Sequence, residues 1–265
     1  MRERQNENQQ AGQSIIRVEN LTAAFGNEVI LDDLTFEVFK GEVFVILGGS
    51  GCGKSTLLKH MIGQYEPAAG NIWIEGDNIV TSSGMDRQKI LRRIGVMYQS
   101  GALFGSMTLL ENICLPLEEF SELSKDAREL VGRMKLQLVG LREYDRHLPA
   151  EVSGGMKKRA AIARAMALDP GILFLDEPSA GLDPITSVEI DNLVLYLSRN
   201  LGITFVVVTH ELPSIYTIAD RVIMLDKRVK KIVAEGSPHH LRGQSGNPWV
   251  RQFFNRQAEK EVSTT

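Results

Sequence analysis

The sequence predicts an α/β fold, with a mainly parallel sheet flanked by helices, an antiparallel β layer and an inserted helical lobe. Three observations predict it. Residues 43–47, 172–175 and 203–208 are apolar or near-apolar runs without polar alternation, as strands buried on both faces must be. Helical stretches separate these runs, which parallel pairing requires. Between residues 100 and 169 the periodicity turns helical and strand-like runs all but vanish, which marks the lobe.

Taken in order, residues 1–13 are almost all polar and lack apolar periodicity, so a disordered tail is expected there. Short β-branched and aromatic runs at 15–18, 29–31, 34–38 and 71–74, with Gly76-Asp77 as turn punctuation, are expected to build the antiparallel layer. The first buried strand, 43–47, runs into a glycine-rich turn and then a helical stretch over 54–62. A strand over 94–98 leads into the lobe, where Ser124 and Ser153 are candidate N-caps, the second for a helix reaching about Leu168. Lys227, Arg228, Val229, Lys230 and Lys231 read as an exposed hairpin between two strands. We expect a single domain over 14–245 with the lobe inserted in it, followed by a C-terminal extension over 246–265.

Composition narrows the class. The 265 residues carry Lys+Arg 30 against Asp+Glu 33, a net charge of -3, and are 43% hydrophobic. That balance suits a globular chain, excludes a fibrous or wholly disordered one, and gives no reason to expect nucleic acid as a partner. No run approaches the ~18 apolar residues that span a bilayer, and the polar start offers no apolar segment for a signal peptide, so a cytoplasmic location is expected. Cys52 and Cys114 make neither a disulfide framework nor a zinc set.

Two motifs carry chemistry. After the buried strand come Gly48, Gly49, Ser50, Gly51, Cys52, Gly53, Lys54, Ser55 and Thr56, matching G-x-x-x-x-G-K-[ST]. Glycines let the backbone curl around a phosphate, and consecutive N–H groups at a helix N-terminus attract a polyanion. Lys54 is placed to reach the β and γ phosphates and the Ser55 hydroxyl to ligate Mg2+. The run 172–175 then ends in Asp176-Glu177, which puts two carboxylates at the carboxyl end of a buried strand, where open α/β sheets bind ligands. Asp176 is a candidate to hold Mg2+ through water, and Glu177 to polarise an attacking water.

With Val152-Ser153-Gly154-Gly155-Met156 upstream of that acidic pair, roughly residues 15–240 resemble the ATP-binding subunits of ABC transporters. The resemblance implies ATP and Mg2+ as cofactors and a head-to-tail homodimer, in which Ser153, Gly154 and Gly155 close on the nucleotide of the partner. It further implies that Phe25 stacks on adenine, that Gln99 contacts Mg2+ and the attacking water, and that Asp183 lies in the loop crossing between subunits. His210, after the strand 203–208, resembles the histidine that senses the γ phosphate. Glu177, His210, Gln99 and Lys54 are thus the catalytic candidates, and Ser55, Gln99 and Asp176 the metal candidates.

Met156 stands where the family usually has Gln. With the segments 101–108 and 181–187, this makes the chain similar to the ATPases of Mla-type systems. These act with a membrane permease and an Mce-domain protein to move phospholipids or other lipids between bacterial membranes, which places the chain peripherally on the cytoplasmic face of the inner membrane. The ATPase of a polar-solute importer, or a soluble ABC protein such as a cluster-assembly ATPase, is the alternative. Lys157, Lys158 and Arg159 are expected on a solvated helix face. Leu103, Phe104 and Leu109 are candidates to line a groove for the permease or simply to pack the lobe. In the tail, Trp249/Phe253 and Val250/Phe254 form an i, i+4 stripe that must be covered, by this subunit or, as we expect, by its partner.

Overall fold

The computed structural model describes residues 12–255. Of the expected tail only Gly12 and Gln13 fall inside that range, and Gln13 is already held, its carbonyl accepting from the Lys40 N–H. The antiparallel layer consists of β1 (Ser14–Phe25), β2 (Glu28–Phe39), β4 (Ala69–Ile74) and β5 (Asp77–Asn78), in the order β2-β1-β4-β5. The runs at 29–31 and 34–38 prove to be one strand, with Asp33 at φ 54 inside it and register shifts against β1 nearby.

The second sheet holds the three buried runs. They are β3 (Val43–Gly48), β7 (Ile172–Asp176) and β8 (Thr204–Val208), joined by β6 (Ile94–Met97), β9 (Arg221–Asp226) and β10 (Lys231–Gly236) in the order β10-β9-β3-β8-β7-β6. All neighbours are parallel except β9 and β10, the predicted hairpin. The period of two in a strand sorts the side chains to opposite faces. Phe44, Ile46, Phe174, Val206 and Val208 join the core under the antiparallel layer, which also takes Leu57, Leu58 and Met61 of α1 (Lys54–Met61). Val45, Leu47, Leu173, Leu175, Phe205 and Val207 face a separate core built from the helices of the lobe and of the C-terminal part of the chain. Because both faces are covered, these strands need no polar alternation, which is why their sequences read as continuous apolar runs.

Past α2 (Gly84–Leu91) and β6, the lobe comprises α3 (Leu109–Phe120), α4 (Lys125–Leu138) and α5 (Gly154–Ala165). Thr108 and Glu111 form a capping box on α3, and Ser124 caps α4 through the Ala127 N–H. Helix α5 ends at Ala165, short of Leu168; residues 166–168 tighten into turns, and Asp169 at φ 52 before Pro170 then redirects the chain. Leu109 is fully buried and packs the lobe, whereas Phe104 stays 52% exposed. Of the groove candidates, then, Leu109 is core.

The tail corrects an expectation. After α6 (Pro184–Leu201), α7 (Leu212–Ile218) and α8 (Pro238–Gln244), the chain ends its described part in α9 (Pro248–Asn255). Val250 and Phe254 are buried in the core of their own subunit, beside Leu241 and Ile215, and the Tyr216 hydroxyl donates to the Phe254 carbonyl at 2.9 Å. Arg228 covers Trp249, its guanidinium 5.3 Å from the ring centre. The stripe folds back because α7 and α8 already offer it an apolar wall; the rest of the extension, 256–265, lies outside the described residues.

One buried charge in this frame has a measurable cost. Asp191 on α6 is 3% exposed. Burial raises its carboxyl from 3.8 to about 6, aided by the charge of Glu211 and opposed by a hydrogen bond from Ser214. Between those two values the folded chain binds more protons than the unfolded one, so stability falls as pH rises through the window. Asp191→Asn mimics the protonated form. It is expected to be more stable than the parent by up to about 3 kcal/mol at about pH 8, with the gap closing below about pH 4. Urea melts at the two pH values check this, and a gap independent of pH contradicts it.

Candidate active site

The loop between β3 and α1 is shaped by its glycines. Gly48 has φ 150, and a Cβ there would lie 2.5 Å from the Leu225 carbonyl oxygen and 2.6 Å from the Cys52 sulfur, so no other residue fits. The α1 N-terminus has no side-chain cap and no acidic residue in its first turn, which leaves its N–H groups and positive dipole end to a ligand. Phe25, Ile30 and residues 51–56 line a concavity of about 320 Å³ at this point. The Lys54 ammonium donates to the carbonyls of Gly48 and Gly49 at 3.0 and 3.3 Å, held over the loop. Phe25 is 51% exposed at the rim and is propped edge-on by Tyr65, with ring centres 5.6 Å apart. Burial pushes the Cys52 thiol up, so it is packing rather than a reactive group.

Parallel pairing of β7 with β8 sets Asp176 opposite Val208, so both strands end at the same edge. Glu177 follows Asp176 in the left-handed region at φ 47, its N–H still bonded to the Val208 carbonyl at 2.8 Å. Its Oε1 meets Nδ1 of His210 at 2.7 Å, while Oε2 is buried with no protein partner. Asp176 Oδ1 and Ser179 Oγ are likewise buried and unpartnered. Buried polar atoms are normally satisfied, so three such atoms at one strand end mark a place for water, metal or phosphate. Burial raises the Asp176 carboxyl, and the Glu177 charge adds to this against Lys59, Lys54 and Lys158. A bound cation would relieve both effects. No group of three or more His, Cys, Asp or Glu side chains among the described residues could hold a metal on its own. The candidate donors, the Asp176 carboxylate, the Ser55 hydroxyl and the Gln99 side-chain amide, are all oxygen ligands, which suits Mg2+ shared with phosphates.

The structure therefore joins Glu177 to His210, and Lys54 to the loop with Phe25 at its rim. Gln99 is exposed just past β6, its carbonyl engaged by Lys158. Ser153 and Gly154 lie elsewhere, exposed at the start of α5, and do not line the loop's concavity. Ser153 caps α5 by accepting from the Met156 N–H at 3.2 Å. Gly155 is required by packing as well as by any ligand, since a Cβ there would fall 2.3 Å from Cγ2 of Thr186. Asp183 caps α6, accepting from the N–H groups of Ile185 and Thr186 and from the Thr186 hydroxyl at 2.6 Å, which hold its carboxyl below the usual range.

Lys158 and Arg164 complete the site's support. The Lys158 ammonium is buried and donates to the backbone carbonyls of Gln99 and, at 3.3 Å, Glu177, contrary to the solvated face expected of it. Arg164 donates to the carbonyls of Gly101 and Ala102 at 2.9 and 2.7 Å. The signal was present in the sequence: Lys158 stands at i, i+3 and i+7 spacing with Gly155 and Ile162, the buried face of α5.

A phosphate loop on a parallel sheet, two carboxylates at the end of β7 in the same sheet and a lobe helix that starts in Ser-Gly-Gly define an ATP-binding cassette. The ABC transporter family model matches residues 31–180, and the chain belongs to that family as an ABC-type ATPase that binds ATP. It is similar to the intermembrane phospholipid transport system ATP-binding protein MlaF of Haemophilus influenzae, 38% identical over 250 residues that cover 94% of each chain. It is also 40% identical to the probable ribonucleotide transport ATP-binding protein mkl of Mycobacterium leprae, over 91% of this chain and 68% of that one. Among solved structures, a dimeric ATP-binding cassette in a post-hydrolysis state bound to ADP and Pi has a TM-score of 0.75 at 30% identity, covering 84% of this chain and 98% of that one. A component of the Clostridium perfringens ABC transporter complex cbiONQ has a TM-score of 0.80 at 28% identity, covering 87% and 91%.

Proposed function

We propose that this ATPase drives a lipid transporter. Two copies sandwich two ATP molecules, closing on binding and reopening after hydrolysis, and pass the stroke to a membrane permease that works with an Mce-domain protein. In this reading the permease supplies the membrane segment and the ATPase sits on the cytoplasmic face of the bacterial inner membrane; no helix among the described residues is long and apolar enough to cross a membrane. The observation that carries the lipid reading is the likeness to MlaF along 94% of both chains. The similar identity to mkl, whose name gives another cargo, shows that an ATPase subunit alone does not specify what is moved. The mkl chain is half as long again as the part matched, so MlaF is the better guide.

In this reading residues 14–245 act as one ABC domain with the lobe at 100–169, and 246–265 form an extension. Phe25 stacks on adenine, and Gly48, Gly49, Ser50, Gly51, Cys52, Gly53 and Thr56 wrap the phosphates with Lys54. Ser55, Asp176 and Gln99 hold Mg2+, which when bound neutralises developing phosphate charge. Glu177 accepts a hydrogen bond from the attacking water through its unpartnered Oε2 and polarises it, while His210 fixes the other oxygen and faces the γ phosphate. Ser153, Gly154 and Gly155 reach the partner's ATP, and Asp183 lies at the crossing between subunits.

The test is purification of Glu177→Gln, tagged at the polar amino terminus, from detergent-solubilised membranes with ATP and Mg2+. A permease with an Mce-domain protein and enriched phospholipid is expected. A permease with a solute-binding protein instead assigns the chain to a polar-solute importer, and recovery of no membrane protein assigns it to the soluble ABC ATPases.

A further inference from the structure

We infer that Lys158 is a positioning residue that ties the helix reaching for the partner's ATP to the water-activating machinery of its own subunit. The inference rests on the site reading proposed above. Helix α5 begins at Ser153, and one turn in it sends a buried ammonium to two backbone carbonyls on different elements, Gln99 after β6 and Glu177 after β7. These are the two residues assigned to the attacking water, and Lys158 reaches each of them through its backbone carbonyl.

A lysine at 8% exposure is an expensive way to satisfy two carbonyls. An apolar side chain would fill the same volume but leave both carbonyls without this donor. Arg164, nearly two turns further along α5, grips Gly101 and Ala102, so the first part of the loop after β6 is clamped to the helix at two points. Glu177 sits at φ 47, a backbone conformation that non-glycine residues hold only when neighbours impose it. The bond from Lys158 to the Glu177 carbonyl is one such constraint.

Any tilt of α5 as Ser153 engages nucleotide across the dimer is thereby carried to Gln99 and Glu177. Hydrolysis in each subunit then depends on the grip of that subunit on its partner's ATP, and turnover rises cooperatively with ATP.

Lys158→Met keeps the aliphatic stem and removes the donors. In the full-length chain, with Mg2+ and ATP, we expect kcat to fall about tenfold or more, ATP affinity to stay within about twofold, and the Hill coefficient for ATP to drop towards one. Lys158→Gln retains N–H donors one atom short of the lysine and should lose only about threefold in kcat, so donor chemistry rather than volume sets the loss. Parent-like kcat and cooperativity in Lys158→Met would overturn the inference, as would a loss of ATP affinity and melting temperature that matches the loss of rate. If Lys158→Met does not fold, Lys158→Gln decides, and unchanged kcat and Hill coefficient in it refute the link. Glu177→Gln and Lys54→Ala, assayed alongside, separate the two readings. Slow turnover in the first and lost binding in the second, with a normal Lys158→Met, remove only the role of Lys158. Normal turnover in Glu177→Gln removes the site reading itself.

Discussion

Glu177→Gln is expected to bind ATP as well as the parent or better and to hydrolyse it about 10²- to 10³-fold more slowly. The shape of the site survives the change, because an amide occupies the same volume and still reaches His210 with one of its two polar atoms. What is lost is the negative charge on the oxygen that no protein group satisfies. A carboxylate there accepts a proton from water in the transition state; an amide cannot. Binding is spared for a separate reason. Glu177 is not among the groups assigned to the phosphates or to Mg2+, so its neutralisation leaves nucleotide binding in place while hydrolysis stalls, and the ATP-bound dimer should accumulate. Single-turnover hydrolysis and ATP-dependent dimerisation by gel filtration check both halves. A rate within about fivefold of the parent would remove Glu177 as the water-activating group.

Much of that site was legible in the chain, for identifiable reasons. The phosphate loop is local: consecutive residues do the work, and the strand before and the helix after are both encoded by short-range pattern. Asp176 and Glu177 were legible because a buried strand ends where its apolar run ends. The contact of Glu177 with His210 was not, since it depends on β7 and β8 being parallel neighbours, a long-range pairing that leaves no local mark. Lys158 was misread for a different reason. A cation within a run of three basic residues suggests a wet face, and only the helical phase relative to Gly155 and Ile162 places it inward. The stripe in α9 was recognised, yet what covers it was set by α7 and α8, whose placement the spacing of four aromatic and aliphatic residues does not reveal.

Ser153→Arg is expected to abolish turnover, by about 10²-fold or more, while leaving ATP binding to the separate chain unchanged. The residue is exposed and remote from the concavity formed by Phe25 and the phosphate loop, so nothing that holds nucleotide within one subunit is touched. Its place at the head of α5 gives the change its force. By helix geometry the first N–H groups lack intrahelical partners, and the dipole there favours an anion. Arginine removes the cap on the Met156 N–H, which costs about 1 kcal/mol of stability, and lays a long cationic side chain over the surface proposed to close on the partner's γ phosphate. Ser153→Ala separates the two effects. It loses the same cap but leaves the N–H groups of Gly154 and Gly155 open, and should keep a measurable fraction of the parent rate. If Ser153→Arg hydrolyses ATP normally, hydrolysis does not require this surface, and each subunit completes its own site. If both variants fail equally and melt early, the serine serves folding of the lobe. Only a folded, ATP-binding and inactive Ser153→Arg beside an active Ser153→Ala fits a site shared between two subunits.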